Sequence, residues 1–125
     1  MIPFTATYRL QLREGVDFAA AERYLPHLTV NGISHLYLSP IYLAQTGSTH
    51  GYDVIDPNVI EPALGGDAGF ATLATAAKAA GIGIVIDIVP NHTAFSLENP
   101  WLRNVLRYGP GSTFAPHFDI DWSER

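Results

Sequence analysis

The sequence predicts an α/β fold whose strands run parallel and are joined by helical crossovers. Three observations carry this. Thr7 to Leu12 alternates in period two, with Tyr8, Leu10 and Leu12 on one side and Thr7, Arg9 and Gln11 on the other, which is the pattern of a strand. A helical pattern, then Gly32-Ile33, then an apolar strand recurs further along as a helical pattern, Gly81-Ile82 and another apolar strand. Repeated helix–strand units make the strands parallel, because the chain must cross back over the sheet between them. Ile82 to Val89 is apolar on both faces, as a strand covered on both sides is. An open doubly wound sheet and a segment of a barrel both satisfy these observations.

Each element has its own signal. Thr7 to Leu12 is the first strand. Asp17 is a plausible N-cap for a helix in which Phe18, Ala21, Tyr24, Leu25 and Leu28 recur at helical spacing. Gly32 stops that helix, and Ile33 to Leu38 is the second strand. Ser39 to Pro62 shows little periodicity and many turn formers, so it is predicted as a long connection. Connections of that length inside a compact domain are functional or disordered. This one carries Tyr42, His50, Tyr52 and Asp53, and it leaves the C-terminal end of a strand, where α/β folds place their sites. Asp67 is predicted to cap a second helix, with Phe70, Leu73, Ala74 and Ala77 facing inward and Gly81 as its stop. Ile82 to Val89 is the third strand. Asn99-Pro100 reads as an N-cap followed by proline at the first helical position, opening a short helix to about Tyr108.

Composition excludes several classes of function. The 125 residues suffice for one modest domain, and 47% are hydrophobic, too many for a disordered tail. A formal charge of −5 argues against nucleic acid and anionic membrane as partners, since both require basic surface. The chain has no cysteine, so thiol and disulfide chemistry are out. No apolar run has the length of a membrane span, and no signal-peptide pattern opens the chain. A cytoplasmic location is therefore expected. Gly65-Gly66 is not a phosphate-cradling pattern, and no cofactor is expected.

The stretch Gly83 to His92, GIVIDIVPNH, poses the chemical question. Asp87 lies near the end of an apolar strand, and an aspartate buried there needs a cation or several donors. An arginine from another strand is the expected partner. Asp87, Asn91 and His92 then line a polar pocket above the sheet; the alternative is a capping aspartate beside a turn-forming Pro-Asn pair. In Ser48 to Pro57, STHGYDVIDP, Tyr52 offers a flat ring for stacking on a sugar. Asp53 offers an acceptor for sugar hydroxyls, His50 offers a donor, and Gly47 and Gly51 allow close backbone approach. An ordinary polar loop is the alternative there. Phe118 to Trp122, FDIDW, alternates apolar and acidic residues, either as paired carboxylates for acid–base work or as a short edge element with solvated acids. His50, His92 and His117 are scattered without metal-ligand spacing. Asn91 and Asp119 could offer oxygens to calcium, but no metal is expected.

At Asp87-Ile88-Val89-Pro90-Asn91-His92, together with Gly51-Tyr52-Asp53, the sequence resembles the α-amylase superfamily, glycoside hydrolase family 13. Further blocks make it similar to the maltooligosyltrehalose synthase subfamily: TYRLQ at Thr7 to Gln11, GISHLYLSPIY at Gly32 to Tyr42, GSTHGYDV at Gly47 to Val54, ALGG at Ala63 to Gly66 and HFDIDW at His117 to Trp122. The resemblance covers essentially the whole chain. It departs at Trp101-Leu102, where the pattern has two tryptophans, and near Asn104 and Arg107, where it has acids.

The resemblance implies a (β/α)8 barrel, of which this chain is the incomplete N-terminal part, residues 1–125. It implies a retaining mechanism run by a nucleophilic aspartate, a general-acid glutamate and a second, stabilising aspartate. None of the acids here matches the regions that carry them, so no catalytic residue is expected in this segment. It further implies that His92 hydrogen-bonds the glucose of the −1 subsite, that Tyr52 stacks on the same ring, and that Asp53 closes the blind end, with His50 beside them. Asp87 would brace the arginine beside the nucleophile, and Asn91 would be structural. The implied substrate is a maltooligosaccharide, whose reducing-end α-1,4 linkage becomes α,α-1,1. A hydrolase of the same superfamily and a non-catalytic sugar-binding module stand as alternatives. The remainder of the barrel, or another chain, is expected to cover the sheet edges.

Overall fold

A computed structural model describes residues 2–124. Strand β1 (Thr7–Leu10) leads to helix α1 (Phe18–Val30) and strand β2 (His35–Leu38). A two-stranded excursion follows, β3 (Tyr42–Ala44) and β4 (Val54–Ile60). Then come a 3-10 turn at Pro62–Leu64, helix α2 (Gly66–Ala79), strand β5 (Gly83–Ile86) and helix α3 (Pro100–Tyr108). The main sheet has the order β1-β2-β5 and is parallel throughout, with Arg9, Tyr37 and Val85 in register across it.

The strand order decides between the two predicted architectures. Successive crossovers here step in one direction across the sheet, which puts both helices on the same face. Phe18 of α1 meets Phe70 of α2 edge-on, with ring centroids 5.6 Å apart. A doubly wound sheet needs helices on both faces; one helical layer outside consecutive parallel strands is the arrangement of a barrel wall. Leu36 and Leu38 of β2 point into that layer and join Leu12, Phe18, Leu25, Leu28 and Leu73 in one core. Ile84 and Ile86 of β5 pack against it. The opposite sheet face carries Arg9, Tyr37 and Val85, and it is the face on which the site is built.

Local signals set the helix ends. Asp17 caps α1, its Oδ1 accepting from the Ala20 N–H at 2.7 Å. Tyr24, which recurs at helical spacing with the apolar residues of α1, is 44% exposed; Tyr8, aligned with Leu10 and Leu12 by period, is also exposed. Asn99 caps α3 by accepting from the N–H groups of Trp101 and Leu102, with Pro100 at the first helical position. Asp67 does not cap α2. Gly65 does so in a left-handed conformation, with φ of 115° and no side-chain bond, while Asp67 sits in the first turn, where a carboxylate favours the helix dipole.

Three further expectations need correction. The connection Ser39 to Pro62 contains the antiparallel pair β3–β4. Register shifts between Tyr42 and Leu43 and between Leu43 and Ala44 break its alternation, so no period-two pattern reached the sequence. The third strand is Gly83–Ile86 rather than Ile82 to Val89, and all four of its residues are only half-buried, because helices cover one face of it. Phe118 to Trp122 forms no strand: Asp119 and Asp121 are solvated, and Asp121 accepts from Ser123.

Candidate functional site

The C-terminal ends of the strands are knitted together first. Buried Ser39 accepts from the Leu12 N–H at 2.9 Å while its own N–H donates to Leu10 O at 3.1 Å. The Asp87 N–H continues the ladder beyond β5 by donating to Leu38 O at 3.0 Å. Side chains two residues apart share a sheet face, so Asp87 stands on the same face as Val85, Tyr37 and Arg9.

Asp87 there meets Tyr52 and Arg9. The Tyr52 hydroxyl lies 2.5 Å from Asp87 Oδ2 and 2.7 Å from Arg9 Nη2, while Arg9 Nη2 is 3.6 Å from the same carboxylate oxygen. The cation comes from β1. Arg9 spans β2 to reach it, its guanidinium lying over the Tyr37 ring at 5.4 Å. With the two side chains 39% and 18% exposed, the ion pair itself contributes little to stability; the hydrogen bonds fix where the groups point. The Asp87 carboxylate accepting the phenol proton pushes the Tyr52 pKa up, partial burial adds to this, and the Arg9 guanidinium opposes it. Tyr52 therefore stays neutral through the physiological range.

The loop before Tyr52 is folded on Ser48. Its hydroxyl accepts from the Gly51 N–H at 3.0 Å and donates to Asp53 Oδ1. The Tyr52 N–H donates to His50 Nδ1 at 3.0 Å. That bond keeps Nδ1 an acceptor, so the 3.8 Å approach of His50 to Asp53 is not a salt bridge in this tautomer. It leaves Nε2–H as the donor of His50. In His92 the roles invert. Nδ1 lies 2.9 Å from Asn91 Oδ1, and an amide oxygen only accepts, so Nδ1 carries the hydrogen and Nε2 is the ring's acceptor. Asn91 thus orients His92.

Of the residues predicted to form one site, Tyr52 and Asp87 are in direct contact, and His50 and Asp53 adjoin Tyr52. His92 and Asn91 are exposed and bond to each other. The segment after them is tied to the same loop, since the Ala94 N–H donates to Val54 O at 2.8 Å.

Three supports were not read from the sequence: Arg9, Ser48 and the pair Arg13–Glu61. Arg13 Nη1 is 3.2 Å from Glu61 Oε2, with side chains only 7% and 11% exposed. Glu61 also accepts from the N–H groups of Ala44 and Ala63, and Arg13 donates to Tyr42 O. This pair pins β3–β4 to the turn after β1 and forms the floor under Gly51. Gly51 has φ of 81°, and a Cβ there would lie 2.8 Å from Arg13 Nε and 2.9 Å from Pro40 O. Gly51→Ala is expected to cost about 2–3 kcal/mol, from left-handed strain and from a backbone carbonyl that cannot yield. Urea unfolding measures it, with Gly47→Ala, which meets nothing within 4 Å, as the reference for strain alone.

The family model for the alpha amylase catalytic domain matches residues 20–121. A Mycobacterium tuberculosis protein that bears the name maltooligosyl trehalose synthase is 48% identical over 127 residues, which is 96% of this chain and 17% of that protein. The solved maltooligosyltrehalose synthase from Arthrobacter ramosus superposes with a TM-score of 0.91 at 43% identity, covering 97% of this chain and 16% of that one. Alpha-amylase SusG of Bacteroides thetaiotaomicron is 39% identical over 85 residues, 68% of this chain and 12% of that protein. The chain thus spans about a sixth of the length of the relatives named for trehalose synthesis.

Proposed function

The chain belongs to the alpha-amylase catalytic-domain family, and from that premise we propose that it is the incomplete N-terminal part of the barrel of a maltooligosaccharide glucosylmutase, supplying sugar contacts of the −1 subsite. The observation that carries the reading is the Tyr52–Asp87 hydrogen bond, which joins the loop motif to the strand-end motif. The identity of 48% along 96% of the chain supports the trehalose-forming branch.

In this reading one glucose unit lies on the Tyr52 ring, where an aromatic face suits the apolar face of a sugar. His50 presents a donor and His92 an acceptor to its hydroxyls. Asp53, held by Ser48, closes the blind end. Such contacts accelerate reaction only as far as they tighten when the ring flattens in the transition state. The overall change is an isomerisation. The reducing-end α-1,4 bond breaks, the released glucose adds through its 1-hydroxyl to form an α,α-1,1 bond, and no water is consumed. The three catalytic acids belong to regions of the family that no acid here matches.

Incubating the full-length protein with maltopentaose tests this. Reducing ends are expected to disappear without release of free glucose. A rise in reducing ends sinks the mutase reading and supports the hydrolase reading, which the similarity to an alpha-amylase favours. His92→Ala in that protein is expected to lower kcat/KM roughly tenfold, the loss of one polar contact worth about 1.4 kcal/mol. An unchanged value takes His92 out of the sugar site.

A further inference from the structure

We propose that the polar face of β1 is a clamp on the sugar-stacking ring, with Arg9 the positioning residue that sets the plane of Tyr52. The inference rests on the sugar-site reading given above and deepens it.

Hydrogen-bond accounting gives the direction of every bond. An ionised carboxylate only accepts, a guanidinium only donates, and a phenol has one proton. The Tyr52 hydroxyl, 2.5 Å from Asp87 and 2.7 Å from Arg9, therefore donates to Asp87 and accepts from Arg9. Its proton is committed, and what Tyr52 offers a ligand is the face of its ring.

Arg9 is itself held on three sides. Nη1 donates to Gln11 Oε1 at 3.1 Å, Nη2 donates to Tyr52, and the guanidinium lies over Tyr37. Gln11 in turn donates to His50 O at 3.3 Å and to Leu12 O at 3.1 Å. Arg9 on β1 and Gln11 just past its end, joined by their side chains, grip the loop at residues 52 and 50. Two grips fix a rotation that one grip leaves free. A planar fork with separated N–H groups serves both Gln11 and Tyr52 at once; a lysine ammonium on a flexible stem does not.

The test is a double-mutant cycle in the full-length protein: R9M, Y52F and the double variant, with R9K alongside, reading kcat/KM on maltopentaose and the thermal midpoint. R9M is expected to lower kcat/KM about tenfold, to leave KM less affected than kcat, and to have almost no further effect once Tyr52 is phenylalanine. R9K is expected to resemble R9M, because charge alone does not set the ring. Independent, additive losses in the double variant overturn the clamp, as does an R9K protein with full activity. An R9M protein of unchanged kcat/KM overturns it too. If the unsubstituted protein does not act on α-glucans, the sugar-site reading fails, and the clamp is read from the Tyr52 phenol titration by NMR. R9M then raises that titration further, because the guanidinium opposes the upward pull of Asp87; an unmoved titration overturns the clamp.

Discussion

Glu61→Ala lowers the unfolding free energy by about 3–5 kcal/mol, the range for removing one partner of a buried ion pair. Three groups lose their acceptor at once. Arg13 Nη1 keeps its charge in a site where its side chain is 7% exposed, and the N–H groups of Ala44 and Ala63 are left unpaired. Glu61→Gln is expected to cost less, since an amide oxygen still accepts from a backbone N–H while the charge is lost. Replacing both members, as Arg13→Leu with Glu61→Leu, removes the stranded charge but not the stranded N–H groups, so it restores only part of the loss. Urea denaturation of the full-length protein measures the series. A midpoint for Glu61→Ala equal to that of the unsubstituted protein removes the pair from its structural role.

Tyr52→Ala is expected to lower kcat/KM by about two orders of magnitude, close to 2.7 kcal/mol at 1.36 kcal/mol per factor of ten. Two losses combine. The ring that carries the sugar is gone, and Asp87 loses its hydroxyl donor, leaving Arg9 at 3.6 Å as its remaining partner. Tyr52→Phe separates them, because it keeps the ring and removes the anchor; its effect should lie near that of R9M. The site also predicts a pH response. The folded-state pKa of Tyr52 is raised by the bond to Asp87. Its contribution to stability is therefore full below the ordinary phenol pKa and lost as pH rises through the raised value. Neutral solution leaves the anchor intact, and Tyr52→Phe, which has no phenol to titrate, is expected to lack the alkaline loss of stability that this anchor gives the unsubstituted protein, read from thermal midpoints across alkaline pH.

What could be read from the sequence was local. Asp17 and Asn99 cap helices through bonds to residues two or three positions away, so their signals lie inside one turn. The parallel strands were visible in period and in the repeated helix–glycine–strand unit. Period and spacing alone left barrel and doubly wound sheet open, because the choice depends on strand order in space; the resemblance to the α-amylase superfamily implied the barrel, and the order β1-β2-β5 agrees with it. The excursion β3–β4 was hidden by its register shifts, and the α2 start was misassigned because a left-handed Gly65 displaced Asp67 from the cap.

The site divides the same way. Tyr52, Asp53, Asp87 and His92 stand in recognisable motifs. Arg9 stands in the TYRLQ block, but its part in the site was not read, since a polar residue alternating with apolar ones reads as the wet side of a strand. Period two shows that a strand has two faces without showing which one the site occupies. The available signal was that Arg9 shares the face of Asp87 two strands away. Arg13 and Glu61 lie 48 positions apart, and nothing local to either announces the other.

A crystal structure of the full-length protein with a bound maltooligosaccharide tests the convergence of the two motifs most directly. One glucose ring should lie flat on Tyr52, with His92 Nε2 within hydrogen-bond reach of a hydroxyl of that same ring. A ring seated away from Tyr52, or Tyr52 and His92 touching different sugar units, would show that the two motifs do not form one subsite.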